Sequence, residues 1–324
     1  MTERIEVSAP GKLMLFGEHA VVYGKPCIVT AVDHRMKVSI EATNGDSLEL
    51  HAPDVNIVGY IEKIDDLGKG EAPKGTRFVS IAVRNFFNSF GIKSGLKVET
   101  RSDFSSEFGF GSSSAVTVGV IKALGKVFGK ELGNKKLFDM SYHTVLDVQG
   151  VGSGFDVAAA IWGGTLYFIT GGKKIETIKP KDMPLVVGYT GVKAETTTLV
   201  RQVAEFYKNN KKVVDRIFDS IEGIVEESRH ALEIGDSQKV GELMNLNQEL
   251  LGSLAVGSKE LTNLIEAARE NGAFGAKLSG AGGGDCMIAF APDIYREKVE
   301  VGIEKAGGKV IRVKTNAEGV RIEG

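Results

Sequence analysis

The stretch GFGSSSAV, Gly109 to Val116, decides the reading of this chain. Glycine is unfavourable in regular structure, so Gly109 and Gly111 mark a loop. Directly after it Val116, Val120, Leu124 and Phe128 recur every four residues and predict a helix with one apolar stripe. A glycine loop opening into a helix turns backbone N–H groups toward a concavity and adds the helix's positive end. Here it also offers the hydroxyls of Ser112, Ser113 and Ser114 to phosphate oxygens or a metal ion. The plainer alternative is a serine N-cap behind a flexible turn. The lysine of the GxxxxGK[ST] phosphate loop is missing.

Two more glycine-rich stretches flank this one in sequence. APGKLMLFGEHAVVYGKP, Ala9 to Pro26, reads as a strand ending in Pro-Gly-Lys, followed by the polar cluster Gly17, Glu18 and His19. Its plain alternative is a hairpin with solvated charges. KLSGAGGGDCMIAF, Lys277 to Phe290, sets Gly280, Gly282, Gly283 and Gly284 before a strand, which suits either close approach to a ligand or a bulged turn. In VQGVGSGFDVAAAIWGG, Asp156 precedes the apolar run Val157 to Ile161, where a carboxylate needs a cationic partner, a function or a capping role.

The remaining chain bounds the possibilities. Lys and Arg number 40 against 42 Asp and Glu, so no overall basic excess points to nucleic acid or an anionic membrane surface. Cys27 and Cys286 stand far apart among apolar neighbours and read as reduced thiols. The N-terminal residues lack the apolar core of a signal peptide, no run spans a bilayer, and a cytoplasmic location is expected. Residues up to about 180 are β-rich with interleaved helices: RIEVSAP, CIVTAV, MKVSIEA and LKVETRS read as strands and TRFVSIAVRNFFNSF as a helix stopped by Gly91. VGYIEKIDDLGKGEAPKG, Val58 to Gly75, reads as a solvated loop. Long amphipathic helices follow residue 205, and a boundary falls near Lys179 to Met183, giving units 1–180 and 181–324.

PGKLMLFGEHAVVYG, GFGSSSAV and KLSGAGGGDC, in this order and separation, resemble the three motifs of the GHMP kinase superfamily across nearly the whole chain. The first motif, TGVKAETTTLV and LMNLNQELLGSLAV look most like the mevalonate kinase branch. VGSGFDVAAA and Asp285 look more like phosphomevalonate kinases. The resemblance implies an α+β fold with an N-terminal domain like ribosomal protein S5 domain 2 and a ferredoxin-like C-terminal domain. It implies ATP and Mg2+, with mevalonate as the small-molecule acceptor phosphorylated on its 5-hydroxyl, and a homodimer.

Carried over residue by residue, Asp156 would accept the hydroxyl proton and Lys12 would stabilise the developing alkoxide. Gly109, Phe110, Gly111, Ser112, Ser113 and Ser114 would cradle the nucleotide phosphates, with Ser113 on the metal. Glu18, His19 and Thr196 would contact the acceptor, His19 as donor to its carboxylate, and Gly282 and Gly283 would close over the site. A metal-binding glutamate of the typical members falls here on Val145, which leaves Asp147 as the substitute acidic ligand. A phosphorylated acceptor would ask for more cations, for which Lys193 and Arg201 are available. A fold that had kept binding and lost turnover is the remaining alternative.

Overall fold

The computed structural model describes residues 3–73 and 75–323; Lys74, within the expected loop at 58–75, lies outside the described residues. Two sheets organise it. The first contains β1 (Ile5–Phe16), β2 (Pro26–Thr43), β3 (Ser47–Ala52), β4 (Ile57–Lys63), β5 (Gly95–Ser102), β6 (Thr165–Ile169) and β7 (Lys174–Ile178). The second contains β8 (Leu185–Tyr189), β9 (Gly275–Ser279), β10 (Cys286–Phe290) and β11 (Lys309–Ile311) in the order β11-β8-β10-β9, antiparallel throughout. The short β12 (Arg321–Ile322) leaves the second unit and pairs with β1, so the chain end belongs to the first sheet.

Several elements differ from the sequence expectation for identifiable reasons. β1 does not end at Pro-Gly-Lys; a register shift between Pro10 and Gly11 absorbs the proline, and the strand runs on to Phe16. CIVTAV and MKVSIEA form one strand, β2, because β1 pairs along both halves, while its other edge meets β6 at residues 26–30 and β5 at 36–43. The segment expected as a solvated loop contributes β4, which pairs with β3.

Four helices cover one face of the first sheet: α1 (Thr76–Phe90), α2 (Ser112–Val127), α3 (Asn134–Gln149) and α4 (Phe155–Trp162). Five more belong with the second: α5 (Thr196–Asn209), α6 (Lys211–Ile234), α7 (Ser237–Ser253), α8 (Lys259–Glu270) and α9 (Asp293–Lys305). Period-two alternation explains how the units meet. Met14, Cys27 and Val29 enter the core beneath α1–α4, while Leu13, Leu15, Ile28 and Val32 enter a second core shared with β8–β10 and α6–α8. The central strands are therefore buried on both faces. Cys27 and Cys286 are unpaired and sit in these separate cores. Among the described residues no helix is long and apolar enough to cross a membrane.

Candidate active site

One cleft gathers residues from all three glycine-rich stretches: Lys12 and His19, Ser112 and Ser113, and Ser279 through Ala281. Three helix N-termini open onto it, since Ser112 and Ser113 begin α2, Phe155 and Asp156 begin α4, and Thr196 and Thr197 begin α5. Each presents N–H groups without an acceptor inside its helix and the positive end of a dipole. The first residues of α2 carry no side-chain cap, and Gly111 fills the cap position at φ 78°, so the serine N-cap alternative fails and the hydroxyls are available for other work.

The serines divide that work. Ser112 and Ser113 line the cleft, whereas the buried Ser114 donates its hydroxyl to Asp156 Oδ2 at 2.6 Å. Val157 N–H donates to Asp156 Oδ1 at 3.0 Å. With both oxygens held, the carboxylate has one orientation. Gly111 lies between Asp156 and Lys12; an added Cβ would stand 3.3 Å from the lysine chain and 3.6 Å from the aspartate Cβ. Lys12 Nζ donates to the Gly109 carbonyl at 2.7 Å and rests over the Phe155 ring. Burial pulls the Lys12 ammonium below its ordinary value, and the carboxylates of Asp156 and Asp285 oppose that shift.

His19 takes φ 60°, an unusual conformation for a residue with a Cβ. Its Nε2 lies 2.9 Å from the Ala281 carbonyl oxygen. A carbonyl only accepts, so Nε2 carries the proton. Burial lowers the His19 pKa, which favours the neutral ring and leaves Nδ1 as an acceptor, so the expected donation from His19 to a carboxylate is corrected: its one N–H is already given to Ala281.

Other expected residues are placed differently. Asp147 does not reach the cleft; Arg84 and Asn85 hold its carboxylate at 3.3 and 2.9 Å on the side of α3 facing α1. Two residues along a helix turn about 200°, so Val145 and Gln149 face the cleft and Asp147 does not. Phe110 buries its ring against Phe104 and Phe108, and only its carbonyl serves the site, accepting from Lys12 N–H at 3.0 Å. Glu18 is fully buried, paired with Lys277 behind the cleft. Gly282 and Gly283 pack against Val256 and Leu199, leaving Gly280 and Ala281 to line the cavity; a Cβ on Gly282 would meet the Val256 carbonyl oxygen at 2.0 Å.

A model of the GHMP kinase N-terminal domain matches residues 77–164, and one of the GHMP kinase C-terminal region matches residues 228–308. A mevalonate kinase of Thermococcus sibiricus is 36% identical over 99% of this chain and 98% of its own length. The chain is a GHMP kinase. Its fold matches the crystal structure of the Methanococcus jannaschii mevalonate kinase with a TM-score of 0.81 at 27% identity, covering 99% of each chain. It matches the L. major mevalonate kinase, solved in complex with R-mevalonate, with a TM-score of 0.79 at 26% identity, covering 98% of this chain and 97% of that one.

In this GHMP kinase the cleft also holds residues that sequence reasoning did not assign to it, among them Ser106, Gly152, Ser153 and Thr197. Asp285, singled out in sequence only as a motif variation, proves central. It takes φ 55°, accepts from Ala194 N–H at 2.9 Å through Oδ1, and lays Oδ2 against Gly109. Lys193 donates to the Ser106 carbonyl at 3.0 Å, so the loop between β8 and α5 is tied to both units. Loop-to-loop contacts of this kind leave no periodic trace in a sequence.

Proposed function

We propose that this GHMP kinase transfers the γ-phosphoryl group of ATP to the 5-hydroxyl of mevalonate. The observation that carries the reading is the fixed carboxylate of Asp156, facing Lys12 across Gly111 beside the open first turn of α2. The relatives described above, all named mevalonate kinases, support the choice of acceptor.

The N–H groups of α2's first turn and the Ser112 hydroxyl would take triphosphate oxygens, an arrangement matched to the anionic, loosely bonded transition state. Asp156 would accept the hydroxyl proton as the acceptor oxygen bonds to the γ-phosphorus and the bond from that phosphorus to the bridging oxygen breaks, releasing ADP. Lys12, fixed by Gly109, would offset charge on the transferring group and the incoming oxygen. His19, with Nε2 engaged by Ala281, would accept from an acceptor hydroxyl at Nδ1, and the α5 terminus at Thr196 and Thr197 would take the carboxylate.

The donor set fits Mg2+. The Ser113 hydroxyl and one carboxylate, with Asp285 Oδ2 the oxygen beside the loop, leave other positions to phosphate oxygens and water, as this ion prefers. Bound there it would neutralise phosphate charge. The resemblance would make the protein a homodimer, which light scattering would check, and the sequence reading would place it in the cytoplasm.

The test is ADP release with mevalonate and 5-phosphomevalonate as separate acceptors, with Asp156→Asn beside the parent protein. Turnover on mevalonate that falls by about 10²–10⁴ in Asp156→Asn is expected. Turnover on 5-phosphomevalonate alone would overturn the acceptor, and an unaffected Asp156→Asn would overturn the base.

A further inference from the structure

Glu18 and Lys277 are the most deeply buried charged pair in the described structure, with neither side chain exposed. Lys277 Nζ donates to Glu18 Oε1 and, at 2.6 Å, to the Leu278 carbonyl; backbone N–H groups of Glu18 and Gly280 also favour the Glu18 carboxylate, and among the described residues its Oε2 has no close hydrogen-bond partner. Neither residue lines the cleft. Two further links run beside this pair. Ser279 Oγ accepts from Met14 N–H at 3.0 Å and donates to the Met14 carbonyl at 2.9 Å, and His19 Nε2 donates to the Ala281 carbonyl. All three join residues 14–19, from β1 and the turn after it, to residues 277–281, from β9 and its glycine loop.

We propose that Glu18 and Lys277 are positioning residues, which lock the two units in one register and so assemble the acceptor side of the cleft. Apolar contacts between β1 and β9 tolerate sliding. A buried ammonium with two acceptors does not, because any shift leaves a charge unpaired away from water. Glu18 immediately precedes His19, whose φ of 60° persists only where its surroundings over-determine it. Lys277 lies two residues before Ser279 and four before Ala281, the carbonyl that fixes the His19 tautomer. The ion pair therefore sets both halves of the His19–Ala281 contact without touching a substrate. The phosphate loop around α2 takes no part in this seam.

The proposal rests on the reading above only for the identity of the acceptor. Lys277→Met, Lys277→Arg and the double variant Glu18→Gln/Lys277→Met would be compared for kcat, acceptor KM, affinity for an ATP analogue, thermal midpoint and amide exchange at residues 14–19 and 279–282. Lys277→Met is expected to raise acceptor KM by about tenfold or more and to speed exchange in both segments, while nucleotide affinity stays within about threefold. The double variant leaves no unpaired buried charge, so its thermal midpoint should recover toward the parent's while acceptor KM stays high. A merely structural pair would recover both together, and that result overturns the proposal. Acceptor KM within about twofold of the parent in Lys277→Met also overturns it. Should Lys277→Met fail to fold, Lys277→Arg, which keeps the charge and alters its reach, must show the same split between acceptor and nucleotide. A parent protein inactive on mevalonate would overturn the acceptor assignment, and the exchange data would still judge the seam.

Discussion

Gly109→Ala, alone and with Asp285→Gly, tests the contact that joins the phosphate loop to the third glycine stretch. Gly109 sits at φ 70°, where an alanine costs about 1–2 kcal/mol. Its new Cβ would also stand 2.6 Å from Asp285 Oδ2 and 3.0 Å from Asp285 Cβ and Cγ. Pushing that carboxyl aside costs about 1–3 kcal/mol more, because Oδ1 is held by Ala194 N–H. The single variant should therefore lose about 2–5 kcal/mol in urea denaturation. Asp285→Gly removes the obstacle and relieves a side chain at φ 55°, at the expense of one hydrogen bond, so its own net loss is about 1 kcal/mol. In the double variant Gly109→Ala should cost only its backbone strain, which makes the coupling about 1–3 kcal/mol. Effects that add within about 0.5 kcal/mol would show that the two residues do not meet, and the loop arrangement described above would be wrong.

Three further expectations follow from the cleft. Ser114→Ala frees Asp156 Oδ2 while Val157 N–H still holds Oδ1, so kcat should fall by about 10–100-fold with little change in ATP affinity, measured by steady-state kinetics. Asp147→Ala removes only a half-exposed contact with Arg84 and Asn85; the Mg2+ dependence of turnover should be unchanged and stability should move by less than about 0.5 kcal/mol. His19 has a folded pKa below its unfolded value, so between the two the unfolded chain binds more protons and stability rises with pH. That contribution is complete above the unfolded value near 6.5 and is lost as pH falls from there toward the folded value; denaturation of His19→Gln across this window should show a shallower slope.

What the sequence made legible was local. The glycine loop and the helix after it depend on spacing within a few residues, and α2 forms where that spacing puts it; the apolar run after Asp156, for which the sequence offered a helix only as something Asp156 could cap, forms α4. Pairing partners were less legible. Nothing near Pro10 announces the register shift that carries β1 through it, and the split of β2 between β5 and β6 depends on strands that arrive more than fifty residues later. Glu18 reads as a polar site residue because its neighbours are polar; its burial comes from Lys277, 259 residues on. The face of α3 that Asp147 takes was legible as well. Helical geometry places it away from the face of Val145, and that rotation was available from the sequence alone.

The charges in the cleft bear on which acceptor it favours. Its titratable lining residues are Lys12, Lys193, Asp156, Asp285 and His19. With His19 neutral, two cations of the protein face two carboxylates, and ATP brings several negative charges that a bound Mg2+ would offset only in part. Lys12 is committed to the Gly109 carbonyl and Lys193 to that of Ser106. Arg201, the further cation considered for a phosphorylated acceptor, is exposed on α5 and absent from the lining. An acceptor bearing a phosphate would place about two more negative charges beside Asp285, in a partly desolvated space where like charges repel strongly. A hydroxy acid with one carboxylate, placed as proposed against the α5 terminus and His19 Nδ1, would avoid that repulsion. The same imbalance acts on the phosphorylated product, which carries its new charge on the Asp156 and Asp285 side of the cleft. Asp285→Asn should therefore tighten binding of 5-phosphomevalonate by about three- to tenfold at low salt and leave mevalonate nearly unaffected, read as dissociation constants of the two ligands without Mg2+ or nucleotide, so that loss of a metal ligand does not enter. Equal effects on both ligands would mean that Asp285 acts through the Ala194 loop and not through its charge.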